Sequence, residues 1–121
     1  MKKQILIIDD DFDLLYVLHE LFRFEGYKSI GFNHGNDIEN VIRAHKPDLI
    51  LLDYLLPGFN GGEICSKLKS LSEYAMIPVI IFSAHSDKGI KNGSYGCDYF
   101  ISKPFDLEPL MLVIERLINK I

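Results

Sequence analysis

The chain has 121 residues, 48% of them hydrophobic and 25% charged. That suits one globular domain with its own core and excludes a disordered or disulfide-stapled chain. The net charge of −4 argues against nucleic acid as a direct partner, and neither a membrane span nor a signal peptide is visible, so a cytoplasmic protein is expected.

Short apolar runs and amphipathic runs alternate along the chain. Gln4-Ile5-Leu6-Ile7-Ile8 opens a strand over 4–9 and runs into Asp9-Asp10-Asp11. A helix over 12–25 follows, with Leu14, Leu15, Leu18, Leu21 and Phe22 on one side and Asp11 as its N-cap. Lys28-Ser29-Ile30-Gly31-Phe32 alternates, as an edge strand does. A helix over 36–45 leads to a strand over 48–53, Asp48-Leu49-Ile50-Leu51-Leu52, which ends in Asp53. Pro57-Gly58 and Gly61-Gly62 mark turns, and Asn60 with Glu63 resembles a capping box opening a helix over 61–72.

Pro78-Val79-Ile80-Ile81-Phe82 forms a strand over 78–83 that ends in Ser83-Ala84. The fourth helix, 86–95, holds Gly89 and Gly93, each costing about 1 kcal/mol relative to alanine. It is expected to be short or mobile. A strand over 98–102, with Tyr99-Phe100-Ile101-Ser102, runs into Lys103-Pro104. The last helix, 106–120, has the clearest stripe: Leu107, Leu110, Met111, Ile114, Leu117, Ile118 and Ile121. Leu112 and Val113 widen its apolar surface beyond that stripe.

Alternating strands and helices imply a parallel sheet with helices on both faces and right-handed crossovers. The strands over 4–9, 48–53 and 78–83 are apolar on both faces and belong in the centre. The fold class is therefore α/β, a flavodoxin-like (βα)5 doubly wound parallel sheet with strand order 2-1-3-4-5.

In such a sheet, ligands bind beyond the carboxyl ends of the strands. Asp9, Asp10, Asp53, Ser83, Ala84 and Lys103 all stand at those ends. Three crowded carboxylates need a cation, and one lysine is too little. An all-oxygen donor set selects a hard cation, and magnesium, which keeps waters for phosphate oxygens, fits better than calcium. With the metal present, one carboxylate can act as a nucleophile towards phosphorus. Asp53 is the candidate, since it stands alone at the end of the central strand while Asp9 and Asp10 come as a pair suited to the metal. The ion would take one phosphoryl oxygen, Lys103 another, and the Ser83 hydroxyl with the Ala84 amide the third.

Taken singly, each of these residues has a bland reading as a cap, a turn or a solvated lysine, and their joint placement carries the weight. His19, His34, His45 and His85 form no ligand spacing, and Cys65 and Cys97 read as reduced packing residues.

At these residues the chain closely resembles the receiver domain of two-component response regulators. The matching stretches are Ile5 to Asp11, Pro47 to Gly61, Val79 to Ala84 and Gly96 to Phe105, and the likeness covers essentially residues 1–121 as one domain. The resemblance implies that Asp53 accepts a phosphoryl group from a histidine kinase or phosphotransfer protein. It implies that Asp10, Asp53 and the Leu55 backbone carbonyl bind Mg2+ directly, with Asp9 helping through water. Ser83 is then the switch hydroxyl, Lys103 contacts the phosphoryl group, Phe100 is the switch aromatic, and Lys103-Pro104 is a cis peptide. The readout is a downstream protein partner or self-association through the face of the fourth helix, fifth strand and fifth helix. One departure is a span from Ser83 to Lys103 about two residues shorter than the family's.

Two rival functions are weighed. Ile7-Ile8-Asp9-Asp10-Asp11 also fits the opening motif of a haloacid-dehalogenase-type phosphatase, although no further acidic pair follows Lys103 to complete that metal site and Asp13 stands where Thr or Val belongs. The second is a phosphorylation-independent interaction module on the same fold.

Overall fold

The computed structural model describes residues 2–84 and 94–119. Its elements are β1 (Gln4–Ile8), α1 (Phe12–Phe24), β2 (Lys28–Phe32), α2 (Ile38–His45), β3 (Leu49–Asp53), β4 (Leu55–Leu56), β5 (Phe59–Asn60), α3 (Gly61–Ser70), β6 (Val79–Ser83), β7 (Tyr99–Ser102) and α4 (Leu107–Ile118). Five strands form one parallel sheet in the order β2-β1-β3-β6-β7. Counted among these five, that is the expected 2-1-3-4-5.

The pattern of burial explains the order. β3 and β6 are buried at every position and β1 at all but its first, so they need cover on both faces. β2 is half-exposed and takes an edge. One core layer joins Leu6, Ile8, Ile50, Leu52 and Ile81 to Ile42 of α2 and Leu68 of α3. The other joins Ile5, Ile7, Leu49, Leu51, Ile80 and Phe82 to Leu18 and Phe22 of α1 and Leu110 and Ile114 of α4. Each such side chain contributes about 1.5–3 kcal/mol by leaving water, which makes this two-sided arrangement the favourable one.

Local signals set the helix starts. The Asp11 Oδ1 accepts from the backbone N–H groups of Asp13 and Leu14 at 3.0 and 3.2 Å, capping α1 as expected. Asn60 Oδ1 accepts from Glu63 N at 3.0 Å at the start of α3. At the opposite edge of the sheet, Asp48 Oδ2 takes the Gln4 N–H and Asp98 Oδ2 the Val79 N–H, both at 2.8 Å. Lys69 Nζ then pairs with Asp98 at 2.8 Å. These bonds tie neighbouring strands at their N-terminal ends and hold their register.

Some expectations need correction. α2 starts at Ile38 rather than 36, because Asp37 lies in the left-handed region (φ 51°) and its side chain makes no cap bond. α3 ends at Ser70, before an extended Leu71. Val113 is buried in the core rather than widening the outer face of α4, where Leu112 stays exposed. The two-residue strands β4 and β5 form an antiparallel hairpin around Pro57-Gly58, where the sequence signals only a turn. The fourth predicted helix, 86–95, lies outside the described residues except for its last two positions. Those belong to a 3-10 turn, Ser94–Gly96, in which Tyr95 has φ 58°.

Candidate functional site

Among the described residues, the buried polar or charged side chains are Asp9, Asp53 and Ser83. All three stand at the C-terminal edge of the sheet. Asp53 and Ser83 are the last residues of β3 and β6, and Asp9 follows the end of β1. Burying a charged or polar group is unfavourable unless it is partnered, so their clustering in an otherwise apolar sheet marks a site.

Asp9 is fully buried. Its Oδ1 accepts from the Asp11 N–H at 2.7 Å and its Oδ2 from Lys103 Nζ at 2.6 Å. Lys103 Nζ is also 3.6 Å from Asp53 Oδ1. Asp10 is exposed, yet one oxygen from each of Asp9, Asp10 and Asp53 lies within 4.8 Å of the others. The Asp53 carboxyl is pushed up from 3.8 to about 6, by burial first and by the charge of Asp9 next. Lys103 opposes that rise, Asp10 adds to it, and the Leu55 backbone N–H bond lowers it. One ammonium is therefore too little for three acids, and an all-carboxylate set short of positive charge fits a hard divalent cation.

The local chain explains how Asp53 is presented. Tyr54 N bonds Phe82 O at 2.9 Å, extending the β3–β6 ladder past the acid. The chain then folds through the β4–β5 hairpin, and Gly61 N returns to Tyr54 O at 2.6 Å. A Cβ on Gly61 would sit 2.0 Å from the Asp53 carbonyl oxygen, so only glycine permits this approach. On the other side, Lys103 N bonds Ser83 O at 2.7 Å, which brings the β7 end to the β6 end. The Lys103–Pro104 peptide is cis, as the resemblance implies.

Of the residues singled out from sequence, Asp9, Asp10, Asp53 and Lys103 come together directly. Ser83 is adjacent and buried, and Ala84 is exposed beyond it. Leu55 opens β4 with its side chain half out of the protein. Phe100 lies apart from the acids: it is half-buried against the core layer shared with α2 and α3, on the other face of the sheet from Lys103. His85 lies outside the described residues.

Two contacts beside the site are not foreseen from the sequence, although Tyr54 stands out there as the residue that follows Asp53. Lys103 Nζ sits 4.8 Å from the centroid of the Phe82 ring. Tyr54, next to Asp53, has its hydroxyl 3.2 Å from that of Tyr95, whose ring covers Gly62. For Phe82 the available signal is strand alternation, which puts residues 53, 82, 101 and 103 on one face.

Comparison with known proteins decides the family. A family model described as the response regulator receiver domain matches residues 5–115. This chain belongs to the receiver domain family of response regulators. Receiver domains are phosphoacceptors, and the phosphatase reading falls with this match. The chain is 30% identical over 118 residues to sporulation initiation phosphotransferase F of Bacillus subtilis, covering 96% of this chain and 94% of that protein. It is 32% identical over 120 residues to the DNA-binding transcriptional regulator NtrC of Proteus hauseri, covering 98% of this chain but only 25% of that protein. It is also 33% identical over 116 residues to the DNA-binding response regulator MtrA of Mycobacterium leprae, where it covers 92% of this chain and 49% of the relative. It thus spans about a quarter and about half of those two regulators. Among solved structures, the signal receiver domain of a signal transduction histidine kinase from Syntrophus aciditrophicus is 28% identical, with a TM-score of 0.89 over 98% of this chain and 92% of that one. A CheY-like receiver domain protein from Methanospirillum hungatei, 24% identical with a TM-score of 0.88 over 99% and 96% of the two chains, shares the fold. Among the described residues, no helix is long and apolar enough to cross a membrane.

Proposed function

We propose that residues 1–121 act as one receiver domain in which Asp53 accepts a phosphoryl group from the phosphohistidine of a histidine kinase or phosphotransfer protein. The observation that carries this is the meeting of Asp9, Asp10 and Asp53 oxygens within 4.8 Å, beside a lysine 2.6 Å from Asp9 and 3.6 Å from Asp53. Asp10, Asp53 and the Leu55 carbonyl would hold Mg2+, with Asp9 acting through water. When bound, the ion neutralises the acids and the phosphoryl oxygens. A carboxylate oxygen of Asp53 attacks phosphorus in line while the bond to the donor nitrogen breaks and the imidazole leaves with a proton. Lys103 takes up charge on a second phosphoryl oxygen, and the Ser83 hydroxyl with the Ala84 amide receives the third.

An apolar depression of about 480 Å³ beside Lys103, lined by Leu14, Val17, Pro104 and Phe105 among others, offers the donor a surface on which to bring its histidine to this edge. The chemistry is self-phosphorylation and self-dephosphorylation, with no turnover of an external phosphate ester. The phosphoryl group biases a two-state element: Ser83 moves towards its oxygens and Phe100 turns inward. A downstream protein or a second copy then reads the face that includes β7 and α4. This action is cytoplasmic, with no direct contact to nucleic acid or membrane.

The test is treatment of wild type and Asp53→Ala with phosphoramidate and Mg2+. Wild type should gain a base- and hydroxylamine-labile label that chelation prevents, and the variant should gain none. Equal labelling of both would remove Asp53 from its role. Normal partner binding by an unlabelled Asp53→Ala protein, unaltered by phosphoramidate in the wild type, would favour the phosphorylation-independent module.

A further inference from the structure

We propose that Phe82 is a positioning residue for Lys103, its ring face holding the ammonium between Asp9 and Asp53 where a phosphoryl oxygen arrives. This rests on the phosphoacceptor reading of Asp53 and adds to it a residue with no polar atom.

The sheet register makes the case. Asp53 pairs with Phe82 on the next strand, and Phe82 with Ile101 on the strand after that. Residues in register on parallel strands share a face, and Lys103, two positions past Ile101, returns to the same face. The order β1-β3-β6-β7 puts two strands, β3 and β6, between the lysine's own strand and Asp9. Neighbouring strands are about 4.8 Å apart, so the ammonium reaches the acids only by passing across the β6 side chain, which is Phe82. Its Nζ lies 4.8 Å from the ring centroid, inside the roughly 6 Å within which an aromatic face attracts a cation.

The ring cannot turn aside easily. Phe82 is buried, and Phe105 packs edge-on against it with centroids 5.9 Å apart and planes at 77°. Phe105 belongs to the same loop as Lys103, so one connection carries the cation and clamps the surface beneath it.

Carboxylate attraction alone draws Lys103 to Asp9, 2.6 Å away, rather than to Asp53 at 3.6 Å. Transfer needs the ammonium at Asp53. The ring's attraction does not depend on which acid the lysine faces. It therefore keeps a desolvated ammonium over the sheet as the lysine moves from one carboxylate towards a phosphoryl oxygen on the other. An aliphatic residue would fill the same space without that hold.

The experiment replaces Phe82 by 3,4,5-trifluorophenylalanine, which keeps ring shape and packing but weakens the negative face, with Phe82→Leu and the milder para-fluoro ring alongside. Each is labelled with phosphoramidate at saturating Mg2+, in the wild-type and Lys103→Met backgrounds, and the maximal rate is read separately from the Mg2+ midpoint. The maximal rate should fall in the order of ring fluorination, reaching about 3- to 30-fold for Phe82→Leu. The Mg2+ midpoint should stay in place, and fluorination should add nothing once Lys103 is methionine. A fluorinated protein labelled at the wild-type rate, or an equal loss in the Lys103→Met background, overturns the role of Phe82. Asp53→Ala, run in parallel, separates this from failure of the phosphoacceptor reading, because label surviving there strikes at Asp53 itself.

Discussion

Asp53→Asn should make the metal-free protein more stable. The native carboxyl is almost fully buried and raised from 3.8 to about 6, mainly by burial and the neighbouring Asp9 charge. A raised pKa means that the fold favours the protonated acid. The stabilisation from Asp53 is therefore complete below its unfolded value near 3.8 and is lost as pH climbs through about 6. At about 1.36 kcal/mol per pH unit, the rise makes ionised Asp53 unfavourable by roughly 3 kcal/mol at neutral pH. Asparagine keeps the shape and carries no charge at any pH. The unfolding free energy of the variant should exceed that of wild type by about 3 kcal/mol near pH 7.5, by about half as much near pH 5, and by well under 1 kcal/mol near pH 4. Urea unfolding in chelator, followed by circular dichroism because the chain has no tryptophan, measures the gap directly. Adding Mg2+ should then narrow it, since the ion stabilises the protein that binds it better. A variant no more stable than wild type at neutral pH, or a gap that widens towards pH 4, would refute the claim that these acids are held together at an electrostatic cost.

Three further outcomes are expected. Gly61→Ala drives a methyl group onto the Asp53 carbonyl, 2.0 Å away, and should cost about 3 kcal/mol or more in urea unfolding, with loss of Asp53 labelling in the fraction that folds. Asp11→Ala removes the acceptor for two N–H groups at the start of α1 and should lower stability by about 1 kcal/mol while leaving the Mg2+ midpoint near wild type. Burial, with the nearby Cys97 adding and Lys69 opposing, pushes the Cys65 thiol up to about 12. Iodoacetamide at mildly alkaline pH should therefore modify it only as fast as the protein opens, as read by mass spectrometry across a urea series. Rapid modification of the native protein would show that its surroundings are wetter than this packing implies.

The strands, their order and the edge at which the acids gather were legible because each rests on a local pattern. A run such as Leu49-Ile50-Leu51-Leu52 has to be covered on both faces, and an alternating run such as Lys28 to Phe32 does not, so the centre and edge of the sheet follow from hydropathy alone. Asp11 and Asn60 could be placed as caps because a cap is satisfied within three residues of itself. The hairpin of β4 and β5 escaped because two-residue strands carry no periodicity, and the start of α2 escaped because the left-handed turn at Asp37 leaves no mark in hydropathy. At the site, the residue types were readable and their partners were not. Nothing in the order of residues says that Lys103 lies closer to Asp9 than to Asp53, how near the Phe82 ring it comes, or that Gly61 meets a carbonyl. Those contacts join segments up to 94 residues apart. Chemical identity and local pattern are properties of the chain itself, whereas distances, burial and the resulting rise in the Asp53 pKa exist only once the sheet has brought its strand ends side by side and excluded water from between them.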